Sequence, residues 1–165
     1  MIVLTPFQHK DFERLIGWID SKELLVTIAG DVWTYPLTRD QLKKYLEDVK
    51  SHSFNLYDSS QNAVIGHAEI LVASDSCKID KLLIDPAHRG KGICPSAIKC
   101  LLHHAFENFP VHSVELNVFD WNAAGIRCYE KAGFTFTKAK KTFSVGNKTW
   151  TALNMSVARD EFQLD

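Results

Sequence analysis

The sequence predicts a mixed fold of the α/β (α+β) class, formed as a single domain over residues 1–165. Three observations predict it. Stretches with strand-like apolar character are interspersed with stretches whose apolar residues recur at helical spacing. The segments 54–57 and 63–72 follow one another across a polar turn with no room for a helix, so the N-terminal half of the sheet is antiparallel. The segments 134–144 and 148–157 are joined across Gly146-Asn147, a hairpin signal. With 165 residues, 45% hydrophobic and 24% charged, the chain can bury a genuine core and is too apolar for disorder.

The elements follow in order. Met1 to Thr5 reads as a short strand stopped by Pro6. His9 to Ile19 carries Phe12, Leu15, Ile16 and Ile19 at helical spacing. Residues 22–35 mix apolar residues with Gly30, Trp33 and Tyr35 and give no clear period. Thr38 opens a helix with Gln41 three residues on, a capping box, and Leu42, Tyr45, Leu46 and Val49 form its apolar stripe. The strands 54–57 and 63–72 come next, then a strand over 78–84 closed by Asp85-Pro86. A helix runs from Gly92 to about Phe109, with Pro95 tolerated in its first turn. Ser113 to Phe119 is a strand. Asn122 caps a helix that ends near Ala132, and Gly133 stops it.

Composition excludes several function classes. A net charge of −1 gives no general attraction to nucleic acid. No apolar run is long enough to cross a bilayer, and the N-terminal residues lack the basic and apolar blocks of a signal peptide. Lys138, Lys140, Lys141 and Lys148 read as a solvated hairpin face. Cys77, Cys94, Cys100 and Cys128 have neither paired nor metal-like spacing, so reduced thiols and a cytoplasmic location are expected, with Cys94 a small filler residue. No metal site is expected, and the adjacent His103 and His104 read as surface residues.

The chemistry concentrates at Arg89-Gly90-Lys91-Gly92-Ile93-Cys94, between a strand and a long helix. Two glycines let the backbone approach a ligand closely, and the amides from about Gly90 to Ser96 sit at a helix N-terminus, where negative charge is favoured. Arg89 and Lys91 add positive charge or simply face solvent. A nucleoside-triphosphate loop is excluded, because the Gly-x4-Gly-Lys-Ser/Thr pattern is absent. The plain alternative is a glycine-rich connection with no ligand.

This segment resembles the acetyl-coenzyme A loop of the Gcn5-related N-acetyltransferase (GNAT) family. That pattern is Gln or Arg, two residues, Gly, one residue, then Gly or Ala. Arg89, Gly92 and Cys94 stand at its positions, so the last departs and brings a larger side chain. A second block, Asn122 followed by Tyr129-Glu-Lys-Ala-Gly133-Phe134, is similar to the family's Asn…Tyr-Glu-Lys-x-Gly-Phe signature. The resemblance covers about residues 54–157 well. It implies a mixed, mostly antiparallel central sheet with helices on both faces and central strands splayed by a bulge. It also implies acetyl-CoA as co-substrate.

Site residues carry over with it. Leu82 and Ile84, with Leu83 between them, are expected to hold the pantetheine arm through their backbone. Arg89, Gly90, Lys91, Gly92, Ile93, Cys94 and Ser96 are expected around the pyrophosphate, and Asn122 and Arg127 are further cofactor candidates, Arg127 reaching a phosphate or lying at the surface. Tyr129 matches the family's general acid, with a core aromatic as the alternative. A lysine-like amine, with a pKa of about 10.4, needs a base to lose its proton. Asp80 is the first candidate, because alternation in 78–84 puts it on the same face as Leu82 and Ile84. Glu69, Glu115 and His67 follow. Asn117 stands where related ribosomal N-terminal acetyltransferases carry a glutamate and is suited to holding a water.

The acceptor is expected to be a small-molecule or peptide amine. Trp18, Trp33, Tyr35 and Phe54 are candidate walls of its pocket, with Asp31 as an attractor for a cation. Resemblances to the ribosomal-protein and the aminoglycoside 6′-N-acetyltransferase branches leave its identity open, and a monomer or homodimer fits either. Two functions remain: catalytic transfer of acetyl from acetyl-CoA, or non-catalytic binding and sensing of an acyl-CoA.

Overall fold

The computed structural model describes residues 1–162. Its seven strands are β1 (Ile2–Pro6), β2 (Ser51–Asp58), β3 (Ala63–Val72), β4 (Ser76–Ile84), β5 (Ser113–Phe119), β6 (Thr135–Val145) and β7 (Lys148–Ala158). Its helices are α1 (Phe12–Trp18), α2 (Lys22–Ala29), α3 (Arg39–Glu47), α4 (Ile93–Asn108) and α5 (Ala123–Lys131). The strands form one sheet in the order β1-β2-β3-β4-β5-β7-β6. Every neighbouring pair is antiparallel except β4 with β5. That parallel pair has α4 as its crossover, as the geometry of parallel strands requires.

Each face of the sheet buries its own core. On one face α4 sets Ala97, Ile98, Leu101, Leu102 and Phe106 against Ile70, Cys77, Ile79, Val114 and Met155. On the other, α1 to α3 bring Phe12, Leu15, Leu25, Leu42 and Tyr45 onto Phe7, Trp33 and Leu83. Full burial of such a side chain contributes about 1.5–3 kcal/mol. The unclear stretch 22–35 resolves into α2, capped by Ser21, whose Oγ accepts from the Leu24 amide at 3.1 Å. Thr38 caps α3 as expected. Gln41, however, does not close a capping box. Its side-chain oxygen accepts from Thr34 N at 2.8 Å, and its amide donates to the carbonyls of Thr34 and Pro36. At the far end of α4, Arg159 donates to the carbonyls of Phe106, Phe109 and Val111, each at 2.7 Å. These include carbonyls that the helix terminus leaves without a partner.

The sheet opens at its centre. β4 and β5 pair only over Ser76–Lys78 and Ser113–Glu115, and beyond that they part. The cause lies on the other edge of β4. Its register with β3 shifts between His67 and Glu69, and Lys81, with φ of 49°, is the residue that takes up the extra length. A bulge also flips which face later side chains meet. Cys77 and Ile79 belong to the α4 core, while Leu82 and Ile84 reach that core only after the bulge, and Leu83 faces α1–α3. The expectation that Asp80 shares a face with Leu82 and Ile84 is therefore overturned. Simple alternation fails because the bulge sits between them.

Two further corrections concern cysteine and histidine. Cys94 and Cys128 form a disulfide, with Cα atoms 6.4 Å apart, so the expectation of four reduced thiols fails. Their separation of 34 residues concealed a pairing created by the contact of α4 with α5. His103 and His104 are half-buried rather than surface residues, His103 against Phe162 and His104 against Phe54 and Phe109.

Candidate active site

Two cavities meet where β4 and β5 separate. The larger, about 510 Å³, runs between α4 and α5. The smaller, about 140 Å³, lies between the end of α2 and the splayed strands. Leu82 and Tyr129 line both.

The larger cavity gathers Leu82, Leu83, Ile84, Arg89, Gly90, Gly92, Ile93, Cys94, Asn122, Arg127 and Tyr129 from the expected set. Gly90 and Gly92 hold φ of 75° and 70°, which residues with a Cβ rarely adopt. Gly92 is the N-cap of α4, and no side chain caps that end. The amides of Gly92, Ile93 and Cys94 therefore have no partner within the helix, while Pro95 has none to offer. This is a concave set of donors at the positive end of a sixteen-residue helix. The amide of Ser96 is the first that the helix itself can satisfy. Lys91 and Ser96 are exposed and line a separate hollow with Met1, Lys99 and Cys100, outside this cavity. Arg89 donates from Nε to Ile84 O at 3.1 Å, which ties the loop back to the end of β4. Asn122 caps α5 by accepting from Gly125 N at 3.0 Å, so its side-chain oxygen is engaged and its amide remains.

The Cys94 side chain does not crowd the loop. It turns into α5 and bonds the residue just before Tyr129. The disulfide thus fixes the spacing of the two helices that wall the cavity. Closing a loop of this size contributes about 2–4 kcal/mol by restricting the unfolded chain. Reduction with a phosphine is expected to lower the melting temperature by roughly 5–15 °C. Cys128→Ser should match the reduced wild type, and a variant melting with the oxidised protein would show that the bond carries no such constraint.

Tyr129 sits at the junction. Its ring meets Phe134 at 6.2 Å and packs on the α4 core, and burial pushes its phenol up to about 12. Such a hydroxyl keeps its proton at neutral and moderately alkaline pH, as a proton donor must.

The smaller cavity is lined by Asp31, Lys78, Asp80, Lys81, Asn117 and Lys141 among apolar residues including Phe119 and Phe143. Asp80 reaches this cavity because alternation from Cys77 and Ile79, which face the α4 core, points it toward α2 just ahead of the bulge. Its Oδ2 lies 3.5 Å from Lys78 Nζ and 3.7 Å from Lys81 Nζ. Lys81 is buried, 2.9 Å from Glu69 Oε2, and its ammonium lies over the rings of Trp33 and Tyr45. Burial raises the Glu69 carboxyl above its ordinary value, against the pull of Lys81. The other base candidates fall away from the cavity. Glu69 is enclosed with Lys81, and Glu115 does not line the cavity. His67 is enclosed by Phe7 and Tyr45, with its ring pushed by desolvation, and then by Lys81, down to about 3. Asn117 lines the cavity and accepts from Asn154 at 3.0 Å. Of the aromatic candidates, Trp33 and Tyr35 line a neighbouring hollow with Asp31, while Trp18 and Phe54 serve the cores. Sequence reasoning missed Lys78, Lys81 and Lys141 as cavity residues, and Lys141 was read only as part of a solvated face.

Residues 2–135 match the family described as the acetyltransferase (GNAT) domain, so the chain belongs to that family and is an acyltransferase of its type. A probable N-acetyltransferase of Bacillus subtilis, YjcK, is 29% identical over 144 residues, 81% of this chain and 80% of its own length. An aminoglycoside N(6′)-acetyltransferase type 1 of Klebsiella pneumoniae is 26% identical over 148 residues, 81% of this chain and 73% of its own. A spermidine N-acetyltransferase from Vibrio cholerae, solved with CoA and spermine, superposes with a TM-score of 0.83 at 19% identity, covering 97% of this chain and 96% of that one. Among the described residues, no helix is long and apolar enough to cross a membrane.

Proposed function

We propose that this protein transfers the acetyl group of acetyl-CoA to a primary amine by direct attack within a ternary complex. The observation that carries the reading is the position of Tyr129 at the meeting of the two cavities. The larger cavity takes the cofactor, its pyrophosphate on the amides of Gly92, Ile93 and Cys94 and its pantetheine arm along Leu82–Ile84. The thioester then lies at the gap between β4 and β5, and the amine approaches from the smaller cavity.

The amine nitrogen attacks the carbonyl carbon, a C–N bond forms, and the C–S bond breaks. The amine gives up a proton to Asp80, directly or through a water held near Asn117. The departing thiolate takes the Tyr129 proton, and solvent restores the phenol. Gripping the distant diphosphate helps to fix the thioester for attack, which is where positioning lowers the barrier.

The test is thiol release from acetyl-CoA against a panel of amines, with the acetylated amine identified by mass. Amine-dependent release with one acetyl-amine formed per thiol is expected. A protein that binds CoA and releases no thiol with any amine is a sensor, and this reading fails.

A further inference from the structure

The acceptor cavity offers a polycation no unpaired carboxylate. Two accessible lysines, Lys78 and Lys141, line it against two carboxylates, Asp31 and Asp80, while the buried Lys81 is offset by Glu69 behind it, so no surplus of negative charge draws a polycation in. Both carboxylates already have cationic partners. Asp31 lies 3.5 Å from Lys141 Nζ, and Asp80 lies beside both Lys78 and Lys81. Glu69 stands behind Lys81 and is itself enclosed, so it offers nothing to a ligand. A polyamine or aminoglycoside entering here would bring several positive charges to a surface with no carboxylate free to receive them. At Asp80, whose side chain is 19% exposed, a ligand cation would compete with Lys78 and Lys81 in a partly dry site, whereas the Asp31–Lys141 contact is exposed and yields more easily.

The same arrangement suits an incoming anion. The Lys78 and Lys141 side chains are 35% and 59% exposed, so their ammonium groups are accessible to a ligand. Lys141 reaches the cavity because it faces Ala152 across the β6–β7 pairing, and Ala152 lines the cavity too. Phe119, Phe143 and Val118 supply an apolar wall beside these charges. A cavity of about 140 Å³ suits a compact group at the reacting end. Burying a ligand carboxylate beside an ammonium forms a charge-assisted contact stronger than a neutral one.

We propose that the acceptor is a small primary amine that carries its own carboxylate, an amino acid-type molecule, and that Lys141, with Lys78, receives that carboxylate. The proposal rests on the acetyl-transfer reading above and adds the substrate class. Lys141 is a specificity residue in it, with Asp31 its competitor for the ligand's charge.

The experiment compares L-leucine with L-leucinamide, spermidine and kanamycin by thiol release. Leucinamide keeps the amine and the side chain, lacks the anion, and has the more easily deprotonated amine. A preference for leucine therefore cannot come from a larger share of free amine. The kcat/KM for leucine is expected to exceed that for leucinamide and for spermidine by about tenfold or more, a difference of about 1.4 kcal/mol. Lys141→Gln should collapse the leucine-to-leucinamide ratio toward one. Asp31→Asn, which frees the Lys141 ammonium, should raise it. A purely structural role for the pair would move both acceptors together and leave the ratio unchanged, which would overturn the assignment. Faster turnover of spermidine or kanamycin than of leucine overturns the proposal while acetyl transfer stands. Thiol release with none of the four overturns it as well, and the broader amine panel then decides whether acetyl transfer itself falls.

Discussion

Tyr129→Phe is expected to lower kcat by about 10²–10⁴-fold, the range a positioned general acid contributes. The affinity for CoA should change little, because only the hydroxyl is lost and the ring still packs on Phe134. The two parameters separate the roles: loss in kcat with CoA affinity kept marks an interaction made in the transition state. The pH profile gives a second readout. With its phenol at about 12, Tyr129 remains protonated through pH 10, so the wild type should show no alkaline fall from this group up to that pH. A phenol at the ordinary value of about 10 would be half ionised there and would pull the rate down. Unchanged turnover in the phenylalanine variant would remove Tyr129 from the chemistry and leave it a core aromatic.

Lys81→Met is expected to cost about 3–5 kcal/mol of stability, because it strands the Glu69 carboxylate without its ammonium partner. The cost arises from burial: the Lys81 and Glu69 side chains are 3% and 1% exposed, so water cannot replace the lost partner. Removing both charges together, as Lys81→Met with Glu69→Leu, should recover most of the loss, since a buried pair is often no better than apolar residues of its size. Thermal or urea unfolding of the two variants checks this. A single substitution costing under about 1 kcal/mol would place the pair among weak, solvated contacts. The consequence reaches the active site. Lys81 is the bulge residue and contacts Asp80, so loosening it should also lower the acetylation rate.

The sequence made the regular elements and the wall of the larger cavity legible, because their signals are local. Gly92 before an apolar stripe marked α4, Asn122 and Gly133 bounded α5, and Gly146-Asn147 marked the last hairpin. The helix α2 stayed hidden. Val26, Thr27 and Ile28 are β-branched, which suits strands as readily as helices, although Ser21 ahead of Lys22 was a usable cap signal. The harder failures were non-local. The faces of Leu82 and Ile84 relative to Asp80 depend on a bulge at Lys81, a lysine in a left-handed conformation that no turn residue announces. The Cys94–Cys128 bond depends on two helices meeting after the chain has crossed β5. Lys141 looked like one of four solvated lysines, and its approach to Asp31 depends on how the β6–β7 hairpin lies beside α2. Each of these needed the third dimension, because the partner comes from another part of the sheet or from the far side of a strand.

The most direct measurement is a crystal structure of the protein with CoA. The diphosphate should lie on the amides of Gly92, Ile93 and Cys94, with the pantetheine along Leu82–Ile84 and the thiol within hydrogen-bonding reach of the Tyr129 hydroxyl. A diphosphate bound away from the start of α4, or a thiol directed away from the gap between β4 and β5, would contradict the account.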